Sequence, residues 1–209
     1  MKLRILGALG ALVAGIGVGF LVPPGVASAD AVPQQVRQVV SHLEANGRLS
    51  AADRATLARY PAYASRIIDP EATTYRQEVI PADGTTKAMV LGGPGCWIGN
   101  RSIDGHYATG GVAYTYTYRV DWCENSSAVT SVHYRNHTIS LGTFMEQGSV
   151  VEDWVTPVPS YNVQTKRKIE VKNCIPVIGC VHTEYPYATW YLTANPRVED
   201  YALAGIEGT

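Results

Sequence analysis

The chain has 209 residues, 17 lysines and arginines against 18 acids, and 46% hydrophobic residues. That is enough for one ordinary domain with a modest extension and too little for two large ones. The near-balance of charge excludes the basic excess of a nucleic-acid binder and the acidic run of a solvating tail. Thirteen tyrosines stand against two phenylalanines, which fits a small β-protein whose rings pack while their hydroxyls stay wet or hydrogen-bonded.

Residues 1–29 read as a signal peptide. Lys2 and Arg4 open it, Ile5 to Val22 is apolar, Pro23-Pro24 breaks the run, and Ala27-Ser28-Ala29 is a small-residue cleavage site. Cleavage after Ala29 makes Asp30 the mature N-terminus and leaves no membrane partner. The competing reading is an uncleaved anchor, because the apolar run is near the lower length that spans a bilayer.

Residues 30–69 read as a helical arm. Val36, Val39, Val40 and Leu43 recur on one helical face. Pro33 suits a first turn and Asn46-Gly47 a stop. Ser50 caps a second helix from Ala51, with Asp53 in its first turn, until Pro61 ends or kinks it. So narrow a stripe makes no core alone, so the arm must pack on the β-domain, pair with another protein, or serve as a pro-segment. Residues 70–84 read as a linker closed by the Pro81-Ala82-Asp83-Gly84 turn.

Residues 85–209 read as a β-domain. Strands are expected at Thr85–Leu91, Val112–Cys123, Ala128–Arg135, Thr138–Met145, Val150–Thr156, Tyr161–Lys172 and Tyr187–Ala194. Bends are expected at Gly105 with Gly110-Gly111 and at Glu146 to Ser149. In Val112–Cys123, Tyr114, Tyr116, Tyr118, Val120 and Trp122 share one parity and polar residues the other, the period of a half-buried strand. Val132 and Tyr134 share a parity on the returning strand. Short strands with polar turns and no helices between them argue for an antiparallel β-sandwich.

Four cysteines behind an export signal read as two disulfides, with three pairings open. Cys96–Cys123 with Cys174–Cys180 is favoured, since it needs no distant chain crossing and Pro176 and Gly179 allow a tight bend. Zinc is disfavoured by the wide spacing, and neither a metal nor another cofactor is expected. His133 and His137, four apart, are candidates for one face. His182 and Glu184 share a parity and are candidates for an acid/base pair. Glu146, Glu152 and Asp153 border one expected turn, as paired carboxylates of a glycosidase would. Trp97 and Trp154 are candidates to stack on a sugar ring, with a core role as the plainer reading for all four tryptophans.

The run Tyr118-Arg119-Val120-Asp121-Trp122-Cys123, a polar turn and then Val129-Thr130-Ser131-Val132 resembles a pattern in small secreted disulfide-containing β-proteins of Gram-positive filamentous bacteria. The later basic strand followed by Cys174, Gly179-Cys180 and Pro186 is similar too. The resemblance covers roughly residues 95–192 and implies export, two disulfides and a β-fold; it brings no catalytic residues. The expectation is therefore a mainly β protein: an antiparallel β-sandwich with an N-terminal helical arm and a cleaved signal peptide. Its expected role is a secreted, non-catalytic module that binds a cell-wall or environmental polysaccharide or an extracellular protein. The alternative is a secreted hydrolase with an acidic site near Glu146, Glu152 and Asp153.

Overall fold

The computed structural model of the protein describes residues 32–82, 95–194 and 201–208. The signal segment and the strand expected at Thr85–Leu91 lie outside the described residues. Three helices come first, α1 (Gln34–Asn46), α2 (Ala51–Leu57) and α3 (Pro61–Ala64). The strands follow as β1 (Ile68–Pro81), β2 (Gly95–Tyr107), β3 (Val112–Glu124), β4 (Val129–Leu141), β5 (Met145–Val155), β6 (Asn162–Ile175), β7 (Gly179–Thr193) and β8 (Tyr201–Gly208). They form two four-stranded antiparallel sheets in chain order, β1-β2-β3-β4 and β5-β6-β7-β8.

The two meanders share one core. Tyr114, Tyr116, Tyr118, Val120 and Trp122 of β3 meet Val163, Ile169 and Val171 of β6 and Ala188, Trp190 and Leu192 of β7. The expected parity of β3 is thus the inner one. A buried phenol needs a partner for its hydroxyl, and each of these finds it on the opposite sheet. Tyr114 donates to Glu184 at 2.7 Å and Tyr116 to the Arg167 carbonyl at 3.0 Å, while Tyr118 and Thr165 share a hydrogen bond at 2.6 Å. The Trp122 and Trp190 rings lie 5.9 Å apart. Gly99 of β2 has no side chain because those two rings fill its place: a Cβ there would sit 2.7 Å from Trp190 Cη2.

The helical arm builds a second cluster at one end of β6 and β7. Val36, Val39, Val40, Leu43, Leu49 and Leu57 pack with Ile67, Ile175 and Val181. Gly47 closes α1 in the left-handed conformation, φ 64°, and Ser50 with Asp53 forms a capping box on α2. Polar ties fix the arm. The Arg54 guanidinium donates to both Asp69 oxygens at 2.6 and 2.7 Å. Buried Asn173 accepts from the Ile68 N–H at 3.1 Å and donates to the Arg66 and Phe144 carbonyls at 2.9 and 3.0 Å.

Several boundaries differ from expectation. Residues 70–81 are not a linker but most of β1, an edge strand paired to β2. Gly105 lies inside β2, and the bend is confined to the turn at Gly110, φ 86°. β4 runs unbroken to Leu141, and residues 146–149 belong to β5, where two register shifts absorb them. Val132 and Tyr134 do not share a face. Asp121 faces Tyr134 while Trp122 faces Val132, so His133 is a bulge residue that flips the parity.

Candidate functional site

The acids proposed for a hydrolytic site are held apart. Glu152, on the outer face of the second sheet, is bound by Lys168 and by Lys166 at 2.9 Å, and these ammonium groups hold its carboxyl down at about 2. Asp153 is clamped by Arg135 at 2.9 Å and Arg167 at 3.0 Å. Glu146 is exposed, beside the second disulfide. His182 and Glu184 lie between the sheets with side chains 2% exposed, His182 Nε2 being 3.7 Å from Glu184 Oε1. A general acid or base must reach a substrate proton, and this set has no shared surface from which to do so.

The His182–Glu184 pair is a buried polar pocket of the core. Burial pushes the Glu184 carboxyl up to about 7 against the opposing bond from Tyr114, and Asp69 nearby pushes the same way. Burial also pushes the His182 imidazole down. Both shifts favour the uncharged forms, as desolvation requires. Sequence missed this environment because a histidine and a glutamate on a strand read as solvent-facing.

His133 and His137 are separated by the bulge. His133 is exposed on the outer face of the first sheet. His137 is half-buried against the Tyr116 ring, 6.0 Å between centroids. Among the described residues, the one grouping with metal-ligand chemistry is Glu146 with Cys174 and Cys180. Both sulfurs are in a disulfide, so only one carboxylate is left to ligate. The disulfides are those favoured from the sequence, Cys96–Cys123 and Cys174–Cys180.

Trp97 and Trp154 do not form one platform. Trp97 packs against the inter-sheet core and donates its indole N–H to Glu124 at 3.2 Å. Trp154 is 38% exposed on β5, opposite Lys166. It belongs to a larger feature. Val150, Val151, Trp154, Val155, Val158 and Tyr161 are between 38 and 50% exposed along β5 and the segment after it, with Trp154 opposite Lys166 on the outer face and Val150 and Val155 opposite Ile169 and Thr165 on the other. The neighbouring charges are neutralised in place: Lys166 and Lys168 by Glu152, and Lys168 also by Glu207. Lys166 further sits over the Tyr187 ring at 4.8 Å.

The outer face of the first sheet differs. A trough of about 630 Å³ is lined by Arg76, Glu78, Asn100, Ser102 and Thr117. Its groups mostly satisfy one another, with Ser102 and Thr117 at 2.8 Å, Asn100 donating to Glu78 at 3.5 Å, and Arg76 paired with Asp104 at 3.0 Å. No helix among the described residues is long and apolar enough to cross a membrane. No protein-family model, curated protein or solved structure matches the chain.

Proposed function

We propose that this is an exported, non-catalytic module that binds a neutral polysaccharide, of the cell wall or the environment, along the β5 strip. Two disulfides and the sequence of residues 1–29 support export. The observation that carries the binding site is the run of exposed apolar side chains from Val150 to Tyr161, with the Trp154 ring on the outer face of β5, because exposed apolar side chains in such concentration mark an interaction site. The choice of occupant follows from three features. Aromatic faces such as Trp154 and Tyr161 suit the apolar faces of sugars. The adjacent lysines are already paired with glutamates, which disfavours a charged ligand. The two register shifts against β6 bulge β5 along the sheet edge, which disfavours a protein that adds a strand there.

Retention of the purified protein on insoluble neutral polysaccharides and cell-wall sacculi tests this. Retention is expected on at least one, with Trp154→Ala and Tyr161→Ala reducing it at least tenfold while the melting temperature stays unchanged. No retention, or retention indifferent to both substitutions, overturns the reading. Capture only of a protein by the same strip does so as well.

A further inference from the structure

The two disulfides have the same construction and opposite surroundings. Each joins facing residues of adjacent antiparallel strands: Cys96 opposite Cys123 in β2 and β3, and Cys174 opposite Cys180 in β6 and β7. Each has one exposed cysteine, Cys96 and Cys180. The groups beside the sulfurs differ. His133 Nε2 lies 3.3 Å from Cys123 Sγ. A carboxylate oxygen of Glu146 lies within 4.8 Å of both Cys174 and Cys180 sulfurs.

The position of His133 is built by the strand. The bulge between Val132 and Tyr134 leaves His133 unpaired and turns it to the outer face, over the sulfur of Cys123. Bulges re-aim side chains in this way. Ser131, opposite Cys123 in the ladder, holds the same imidazole nitrogen at 2.9 Å. Asp121, the acid of β3 on that face, is occupied by two hydrogen bonds from Arg119.

From this geometry we infer that Cys96–Cys123 is a thiol-exchange site, opened by an external dithiol with His133 as the group that receives the leaving sulfur, and that Cys174–Cys180 is a structural bond shielded from the same reaction. A thiolate of the dithiol attacks the exposed Sγ of Cys96. The Cys96–Cys123 bond breaks and its electron pair passes to Cys123 Sγ, which takes a proton from Nε2 of His133 in its imidazolium form and leaves that imidazole neutral. The dithiol's second thiolate then attacks its own sulfur in the mixed disulfide and releases Cys96 as a thiolate. The dithiol departs as a disulfide, having given two electrons to the protein.

Exchange is faster when the leaving thiolate is better stabilised and when the attacking anion is not repelled. His133 supplies the first condition at Cys123. Glu146 violates both at the second disulfide, since a carboxylate opposes an approaching thiolate and a departing one alike.

The test uses the folded full-length protein in dithiothreitol without denaturant, quenched with an alkylating reagent at intervals and mapped by peptide mass spectrometry. Cys96 and Cys123 are expected to become alkylated at least tenfold faster than Cys174 and Cys180. His133→Ala is expected to slow the first pair about fivefold and leave the second unchanged. Glu146→Gln is expected to speed the second pair severalfold and leave the first unchanged. The second disulfide is an internal clock, because global unfolding exposes both pairs together. Equal rates for the two pairs, earlier opening of Cys174–Cys180, or a first-pair rate indifferent to His133→Ala overturns the inference.

Discussion

Between the sheets, Tyr114, Tyr116 and Tyr118 are buried to the ring and each sends its hydroxyl across to a particular atom of the opposite sheet. Beneath the helices, the fully buried side chains are aliphatic: Val36, Leu43, Leu49, Leu57 and Ile67. The first arrangement is directional. A one-residue slip of β3 would turn the whole tyrosine row outward and leave the acceptors on β6 and β7 unmatched. The second is tolerant, since aliphatic contacts demand volume more than alignment, and its orientation is set at the rim by Arg54–Asp69 and Asn173. The sheets therefore specify one another through polar atoms inside an apolar layer, whereas the arm is docked by burial and latched at its margin.

The largest way to break this contrast is at the tryptophan pair. Trp190 is fully buried against Trp122, and Gly99 leaves room for its ring. Trp190→Ala should cost about 3–5 kcal/mol through lost transfer energy and the cavity left behind. Urea unfolding followed by sheet circular dichroism measures it. A cost below about 1 kcal/mol would mean that the sheets do not depend on this contact.

A smaller and more local effect is expected in the arm. Leu43 is 0% exposed in the second cluster, and Leu43→Ala should weaken that cluster by about 3 kcal/mol. The loss should appear in hydrogen exchange as faster amides in α1 and α2, with β3 and β6 retaining their protection, because cooperative units open separately where few contacts join them. Equal loss of protection across both sheets would show that the arm and the sandwich are one cooperative unit.

The same division decides what was legible in the sequence. β3 is a central strand with one face buried, so its alternation was explicit and its parity correct. The helices carried their own punctuation in Ser50 and Asn46-Gly47. β1 is mostly exposed on both faces, so no period-two signal exists and Pro70 with its polar neighbours reads as linker. β8 went unread as a short edge strand in the second sheet. In β4 and β5 the register shifts reverse the parity, and sequence alternation does not reveal where a ladder slips. Of the candidate site, Trp154 was legible as an aromatic on a polar strand. The strip around it was not, because exposed valines on an edge look like core valines. The pairing of His133 with Cys123 was also hidden, since only the bulge brings them together.

The smallest expected effect sharpens the directional half of the contrast. Glu184 is buried, accepts from Tyr114, and has its carboxyl pushed up to about 7 from an ordinary 4.5. The folded protein therefore keeps a proton that the unfolded chain has released between those two values. Where the native state binds more protons, stability falls as pH rises. Glu184→Gln keeps an oxygen to accept from Tyr114 and removes the ionisation. The variant's stability relative to the parent should rise between pH 4.5 and 7 and level off above, by a total of about 3 kcal/mol. His182 acts in the other direction: its lowered value means stability is lost as pH falls below the usual histidine range. His182 Nε2 lies 3.7 Å from Glu184 Oε1, so the comparison is made with His182→Gln in both proteins, which removes that contribution from each. Urea titrations at five pH values from 4.5 to 8.5 provide the measurement. A difference that is flat across them would show that Glu184 ionises freely in the folded state, and that the tyrosine row meets a solvated carboxylate rather than a buried acid.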